Sequence, residues 1–180
     1  MRVIAGVARG HPLAAPRDRS TRPITDRVKE TLFAILGQRV VDARVLDLYA
    51  GSGAIGIEAL SRGAAHATFV ETARPALVVI RANLERTRLA AAAEVVVLDA
   101  VRFLDTTRAG PFELAFLDPP YDERDIVAPL RGVVPRLAPN AFVVIKHFWR
   151  AEVPEVAGLE ICRQRRFGET MLTFLEANGR

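Results

Sequence analysis

The sequence predicts an α/β fold of the doubly wound, Rossmann-like kind: a mostly parallel sheet of seven strands whose last two form an antiparallel hairpin. From residue 43 onward, short β-branched or apolar runs alternate with helical stretches, the pattern of strand, helix and strand repeated. The first strand runs into a glycine-rich turn that opens a helix. The final two strands are joined by a link too short for a helical crossover, Arg165-Arg166-Phe167-Gly168-Glu169.

Each element follows from local pattern. Arg44 to Leu48, Ala67 to Val70, Glu94 to Leu98, Glu113 to Leu117 and Ala141 to Ile145 read as strands covered on both faces, because their apolar runs are short and nearly continuous. Ala54 to Arg62, Pro75 to Arg88, Val101 to Thr106 and Asp125 to Leu137 read as the intervening helices. Leu159 to Arg163 and Thr170 to Leu175 make the edge pair. Ahead of the sheet, Val28, Leu32, Phe33, Ile35 and Leu36 share one helical face, with Thr25 as N-cap. Residues 1–24, punctuated by Gly6, Gly10, Pro12, Pro16 and Pro23, are expected to be a basic arm or small hairpin, and residues 25–180 the main domain.

Composition narrows the class. With 180 residues, half of them hydrophobic and 26% charged, the chain has the makeup of one globular domain rather than a disordered or collagen-like one. The single cysteine, Cys162, cannot close an internal disulfide and reads as a small buried hydrophobe. No CxxC pair or His/Cys cluster occurs, so no metal is expected. The start has no long apolar stretch, and no run approaches the ~18 apolar residues of a membrane span, so a cytoplasmic protein is expected.

The formal charge of +4 is unevenly placed. Arg2, Arg9, Arg17, Arg19, Arg22, Arg27 and Lys29, set against Asp18, Asp26 and Glu30, account for all of it, and the remaining residues are neutral. Such a segment suits contact with the phosphates of a nucleic acid, and a solvated tail is the competing reading. Arginine outnumbers lysine 23 to 2 throughout, which weakens any argument from arginine identity alone.

The chemistry-bearing motifs fall at the ends of successive strands. Asp47-Leu48-Tyr49-Ala50-Gly51-Ser52-Gly53 is a strand-to-helix turn where backbone approaches a ligand, and Gly51 to Gly56 formally matches GxGxxG. A carboxylate four residues before the turn repels a pyrophosphate and suits a ligand with a cationic amino-acid part. Glu71 is placed to take ribose hydroxyls; Asp99 is placed to accept from an adenine amine, with the Ala100 N–H facing the ring. The most specific signal is Asp118-Pro119-Pro120-Tyr121. Two prolines fix a loop of acceptors without donors, and the tyrosine offers a stacking face, so the motif fits a flipped base bearing an exocyclic amine.

These motifs resemble those of class I S-adenosylmethionine-dependent methyltransferases acting on amino nitrogen. The stretches Arg2-Val3-Ile4-Ala5-Gly6, Arg9-Gly10, Arg22-Pro23-Ile24-Thr25-Asp26-Arg27-Val28-Lys29-Glu30-Thr31-Leu32-Phe33 and Gly168-Glu169-Thr170 narrow the likeness to the bacterial RsmD family, over residues 2 to about 175. The resemblance implies transfer of a methyl group from S-adenosylmethionine to the N2 amine of a guanine in 16S rRNA, within the small ribosomal subunit or its assembly intermediate, by a monomer. The implied cofactor-binding set is Asp47, Tyr49, Gly51, Ser52, Gly53, Glu71, Asp99, Ala100 and Asp118. The implied catalytic set is Asp118, Pro119, Pro120 and Tyr121, and the basic segment becomes the RNA-binding element. Ala73 departs from a polar residue common at its place, leaving the ribose to Glu71. Lys146-His147-Phe148-Trp149-Arg150 has no assigned role; His147 and Trp149 read as rim packing. Three alternatives stay open: methylation of adenine N6 or a protein glutamine, where Asn usually leads the loop; an NAD-dependent oxidoreductase, which leaves Asp118 to Tyr121 unexplained; and a non-catalytic ribosome-assembly factor.

Overall fold

The computed structural model describes residues 1–16, 24–119 and 126–178. Its centre is a seven-stranded sheet ordered β3-β2-β1-β4-β5-β7-β6. The strands are β1 Arg44–Leu48, β2 His66–Val70, β3 Ala93–Val96, β4 Phe112–Leu117, β5 Leu137–Phe148, β6 Leu159–Phe167 and β7 Thr170–Ala177. Strands β1 to β5 pair in parallel, and β7 runs antiparallel between β5 and β6. The helices are α1 Asp26–Leu36, α2 Ala54–Ser61, α3 Arg74–Thr87, α4 Ala100–Thr106 and α5 Val127–Val133. The chain winds outward from β1 to β3 and returns to place β4 on the other side of β1. The carboxyl ends of β1 and β4 therefore flank the switch point, where open α/β sheets form a binding crevice.

Alternation along the strands supplies two apolar layers. Val45, Phe69, Phe116, Val144 and Phe174 face α1, α2 and α3. Leu46, Val70, Leu117, Ile145 and Leu175 face α4 and α5. Thr25 caps α1 by accepting from the Val28 N–H, and the apolar stripe of that helix buries Val28, Leu32, Phe33 and Leu36.

Several elements differ from the sequence expectation, three of them for a plain local reason. The helix expected over 125–137 is α5 followed by a 3-10 turn at Val134–Arg136, because Pro135 cannot continue an α-helical ladder, and β5 begins at Leu137. Strand β3 stops at Val96, so Asp99 is the N-cap of α4 rather than a strand end, its Oδ1 accepting from the Arg102 N–H at 3.0 Å. Strand β6 runs on to Phe167, leaving only Gly168 and Glu169 in the turn. An edge strand has no neighbour to exclude Gln164, Arg165 and Arg166, so polarity does not end it. Cys162 is exposed on this edge, not buried as expected, with Sγ 3.4 Å from the Phe174 carbonyl.

Among the described N-terminal residues, 1–13 form a hairpin fastened against the main domain. Val3 N–H donates to His11 O and Gly10 N–H to Val3 O. Val3, Ala8, Leu13 and Ile24 join the same apolar layer as α1 to α3. Buried Glu58 of α2 accepts from the Ile4 and Ala5 N–H groups at 2.8 and 3.0 Å. Gly6 passes so close to α2 that a β-carbon there would stand 1.6 Å from the Ser61 carbonyl oxygen.

Candidate active site

The glycine turn is built by β1 and α2 together. Tyr49 takes a positive φ of 61°, and Gly53, at φ 73°, is the N-cap of α2. Asp47 Oδ2 accepts from the Gly56 N–H at 3.0 Å. A β-carbon on Gly56 would lie 2.3 Å from the Phe69 ring and 3.2 Å from that carboxylate oxygen, so only glycine allows α2 this approach. Asn83 of α3, fully buried, donates to the Ser52 and Ala14 carbonyls and accepts from the Ala14 N–H, tying the turn to the N-terminal hairpin.

Acidic groups surround the turn. Glu71 Oε2 accepts from the Gly51 N–H at 2.9 Å, and its Oε1 from Thr72 and Ala73 at 2.7 and 2.8 Å, so the carboxylate is fixed beside the glycines. Asp47 is 2% exposed, and burial pushes its carboxyl up to about 8; the Gly56 N–H opposes this, while the charges of Asp118 and Glu71 add to it. Asp47 forms no ion pair among the described residues. A buried carboxylate crowded by like charges is stabilised by a cationic ligand, so the donor set fits the ammonium and sulfonium of S-adenosylmethionine. Ala100 opens α4 behind its exposed cap Asp99.

Asp118 follows β4 directly across the switch point. The register that pairs Leu117 with Ile145 sets Asp118 opposite Lys146, on the sheet face that also carries Asp47. Lys146 Nζ donates to both Asp118 oxygens at 2.7 Å. The side chains are 8% and 30% exposed, so the pair stands at the border of core and crevice. Burial pushes the Asp118 carboxyl up, and the Lys146 ammonium opposes that rise. Pro119 continues the loop, while Pro120 and Tyr121 lie outside the described residues.

The fold thus brings Asp47, Tyr49, Gly51, Ser52, Gly53, Glu71 and Asp118 to one crevice, with Asp99 and Ala100 at the neighbouring strand-to-helix connection. The basic residues scatter. Arg9 and Arg27 are exposed, and Arg2 is exposed with its Nε 3.2 Å from Asp26; Arg17, Arg19 and Arg22 lie outside the described residues. Lys29 overturns its assignment to the RNA surface. It is fully buried, donates to the Arg2 carbonyl and pairs with Glu58 at 3.2 Å, so its charge is spent inside the domain. The period of α1 already places position 29 beside Val28, Leu32 and Phe33, a signal that a count of charge ignores.

Two features escape sequence reasoning. Lys146 sits in an apolar strand run, and the one clue is a lysine where the covered strand should continue apolar. Two guanidinium groups lie over the ring of Trp149, just past β5: Arg166 at 3.7 Å and Arg150 at 4.7 Å from its centroid. His147 donates or accepts at Thr173 Oγ1, 2.8 Å away, and burial lowers its pKa.

The sheet order, the glycine turn at its switch point and the acidic crevice define a Rossmann-like class I methyltransferase fold. The family model described as Conserved hypothetical protein 95 matches residues 1–176. The chain is 39% identical to the "Putative rRNA methyltransferase YlbH" of Bacillus subtilis over 99% of its own length and 100% of that protein. It is 46% identical to "Ribosomal RNA small subunit methyltransferase D" of Escherichia coli over 67% of this chain and 60% of that one. Among solved structures, "Putative methyltransferase yhhF from Escherichia coli" superposes with a TM-score of 0.86 at 35% identity, covering 100% of this chain and 99% of that one. The chain belongs to this family, the RsmD family of methyltransferases.

Proposed function

We propose that this protein transfers a methyl group from S-adenosylmethionine to the exocyclic N2 amine of a guanine in 16S rRNA. The observation that carries the reading is a carboxylate, Asp118, on the same sheet face as the glycine turn and Asp47, at the mouth of the switch-point crevice. Relatives named for rRNA methylation support the RNA class and the small subunit. The edge that the target presents supports guanine. Guanine N1–H and the N2 amine are adjacent donors and match two carboxylate oxygens; adenine sets its amine beside a ring acceptor, which suits an amide.

When bound, S-adenosylmethionine supplies an electrophilic methyl group with a sulfur leaving group. Asp47 and the fixed Glu71 are the groups for its amino-acid and ribose parts, and Asp99 with the Ala100 N–H for its adenine. Asp118 accepts from the guanine amine and aims its nitrogen lone pair out of the ring plane and toward the methyl carbon. The amine becomes acidic on methylation, so Asp118 need not be a strong base, and orientation in a dry crevice supplies the acceleration. Pro120 and Tyr121 complete the base pocket in this reading, the ring of Tyr121 stacking on the guanine.

RNA contact is assigned to the exposed Arg2, Arg9 and Arg27 with Arg17, Arg19 and Arg22, and to the Trp149 cluster. The setting is the cytoplasm, with the small subunit or its assembly intermediate as substrate, and the protein acts as a monomer. Mass-spectrometric mapping of 16S rRNA from cells with and without the gene tests the reading, which requires one N2-methylguanine to vanish. Asp118→Ala is expected to abolish transfer while retaining cofactor binding by calorimetry; near-normal turnover would sink the assignment.

A further inference from the structure

We infer that Lys146 is a positioning residue: it clamps Asp118 as an acceptor-only carboxylate and so makes the crevice select an amine flanked by a ring N–H. The inference rests on the proposed guanine N2 reading and deepens it.

The geometry is specific. Nζ lies 2.7 Å from both Asp118 oxygens, a symmetric grip that fixes the carboxylate plane as well as its place. The lysine enters from β5, and its strand neighbours Val144 and Ile145 are core residues of the two opposite layers. Only 7% of Lys146 is exposed, and burying an ammonium is costly unless a carboxylate meets it. A sheet position bordered by apolar side chains is where aliphatic residues ordinarily stand, so this lysine needs an account beyond packing.

Its partner supplies one. Among the described residues, Lys146 on β5 acts on Asp118, while Asp118 and Glu71, at the end of β2, both act on the neighbouring Asp47 of β1. Burial favours a proton on Asp118, and the charge and hydrogen bonds of Lys146 counter it. Protonation changes what the loop recognises. An ionised carboxylate offers only acceptors and matches the paired donors of guanine N1–H and N2. A protonated one offers a donor and an acceptor, as an amide does, and matches the amine and ring nitrogen of adenine. The carboxylate has lone pairs enough to keep the ammonium and receive two further N–H groups.

The test is the pH dependence of kcat/KM for methyl transfer to small-subunit RNA by the wild-type chain and by Lys146→Met, Lys146→Gln and Lys146→Arg. In the Met variant the acid limb is expected to move up by about one to three pH units, the range for losing an adjacent opposite charge, with activity returning on the alkaline side. The Arg variant keeps the wild-type limb. Below the displaced limb, the Met variant is also expected to lose preference for guanine over adenine at the target position. An unmoved limb, or a loss by the same factor at every pH, overturns the inference, as does failure of both the Met and Gln variants to fold. Failure of the wild-type chain to methylate a guanine amine in RNA or subunits instead defeats the functional reading itself.

Discussion

The two ends of the chain are both rich in arginine or lysine, and the fold treats their charges in opposite ways. Along the seam between the N-terminal hairpin, α1 and α2, charge points inward. Glu58 is fully buried and gathers Lys29 at 3.2 Å, Arg62 at 2.8 Å and two backbone N–H groups of the hairpin. At the C-terminal edge, Arg163, Arg165 and Arg166 stand exposed on β6, and Arg166 and Arg150 both lie over the Trp149 ring. The seam uses charge to fasten a segment too short to hold itself. The edge displays charge where the sheet has no further neighbour. A charge sum along the chain cannot tell these uses apart, because a buried pair and a solvated arginine count alike.

The sharpest way to break this contrast is at Glu58. Glu58→Gln leaves Lys29 in the core without its counter-charge and is expected to cost about 3–5 kcal/mol by urea denaturation. A cost below about 1 kcal/mol would mean that the buried ion pair does not fasten the hairpin.

Between the two regions stands Asp47, buried like Glu58 but without an ion-pair partner among the described residues. Its carboxyl is raised from 3.8 to about 8 in the folded chain. A raised folded-state value means that the folded protein holds the proton more tightly than the unfolded one. The Asp47 contribution to stability is therefore fully present below the ordinary value and is lost as pH climbs from about 4 through about 8. Thermal melts of the ligand-free protein are expected to show that decline, with Asp47→Asn flattening it and S-adenosylmethionine offsetting it. An Asn variant with the same slope would place the titration elsewhere.

The smallest expected change in stability is at the edge. Arg165→Ala with Arg166→Ala should alter stability by less than about 0.5 kcal/mol while reducing the salt slope of RNA binding by about 0.7–0.9 for each phosphate that is no longer neutralised. An unchanged slope would remove the edge from the RNA surface and leave that role to Arg2, Arg9 and Arg27.

Much of the molecule is legible in sequence, and the gaps have physical causes. Strands buried on both faces announce themselves as continuous apolar runs, which is why β1, β2, β4 and the centre of β5 are readable. The far half of β6 is not, because an exposed edge places no demand on polarity. The glycine turn is readable because turn chemistry is local: a positive φ at Gly53 needs a particular residue at a particular position. Lys146 is not readable, since its meaning depends on a partner 28 residues away that only the β4–β5 register supplies. Lys29 misleads in sequence because its partner, Glu58, comes from a different helix.

By itself, then, the sequence determined the fold class, the succession of strands and helices and the glycine turn, since periodicity and turn geometry are written within a few residues. Tertiary structure alone decided which charges are available to a partner and which are spent inside. Burial and pairing depend on which elements meet, and those meetings join residues far apart in the chain.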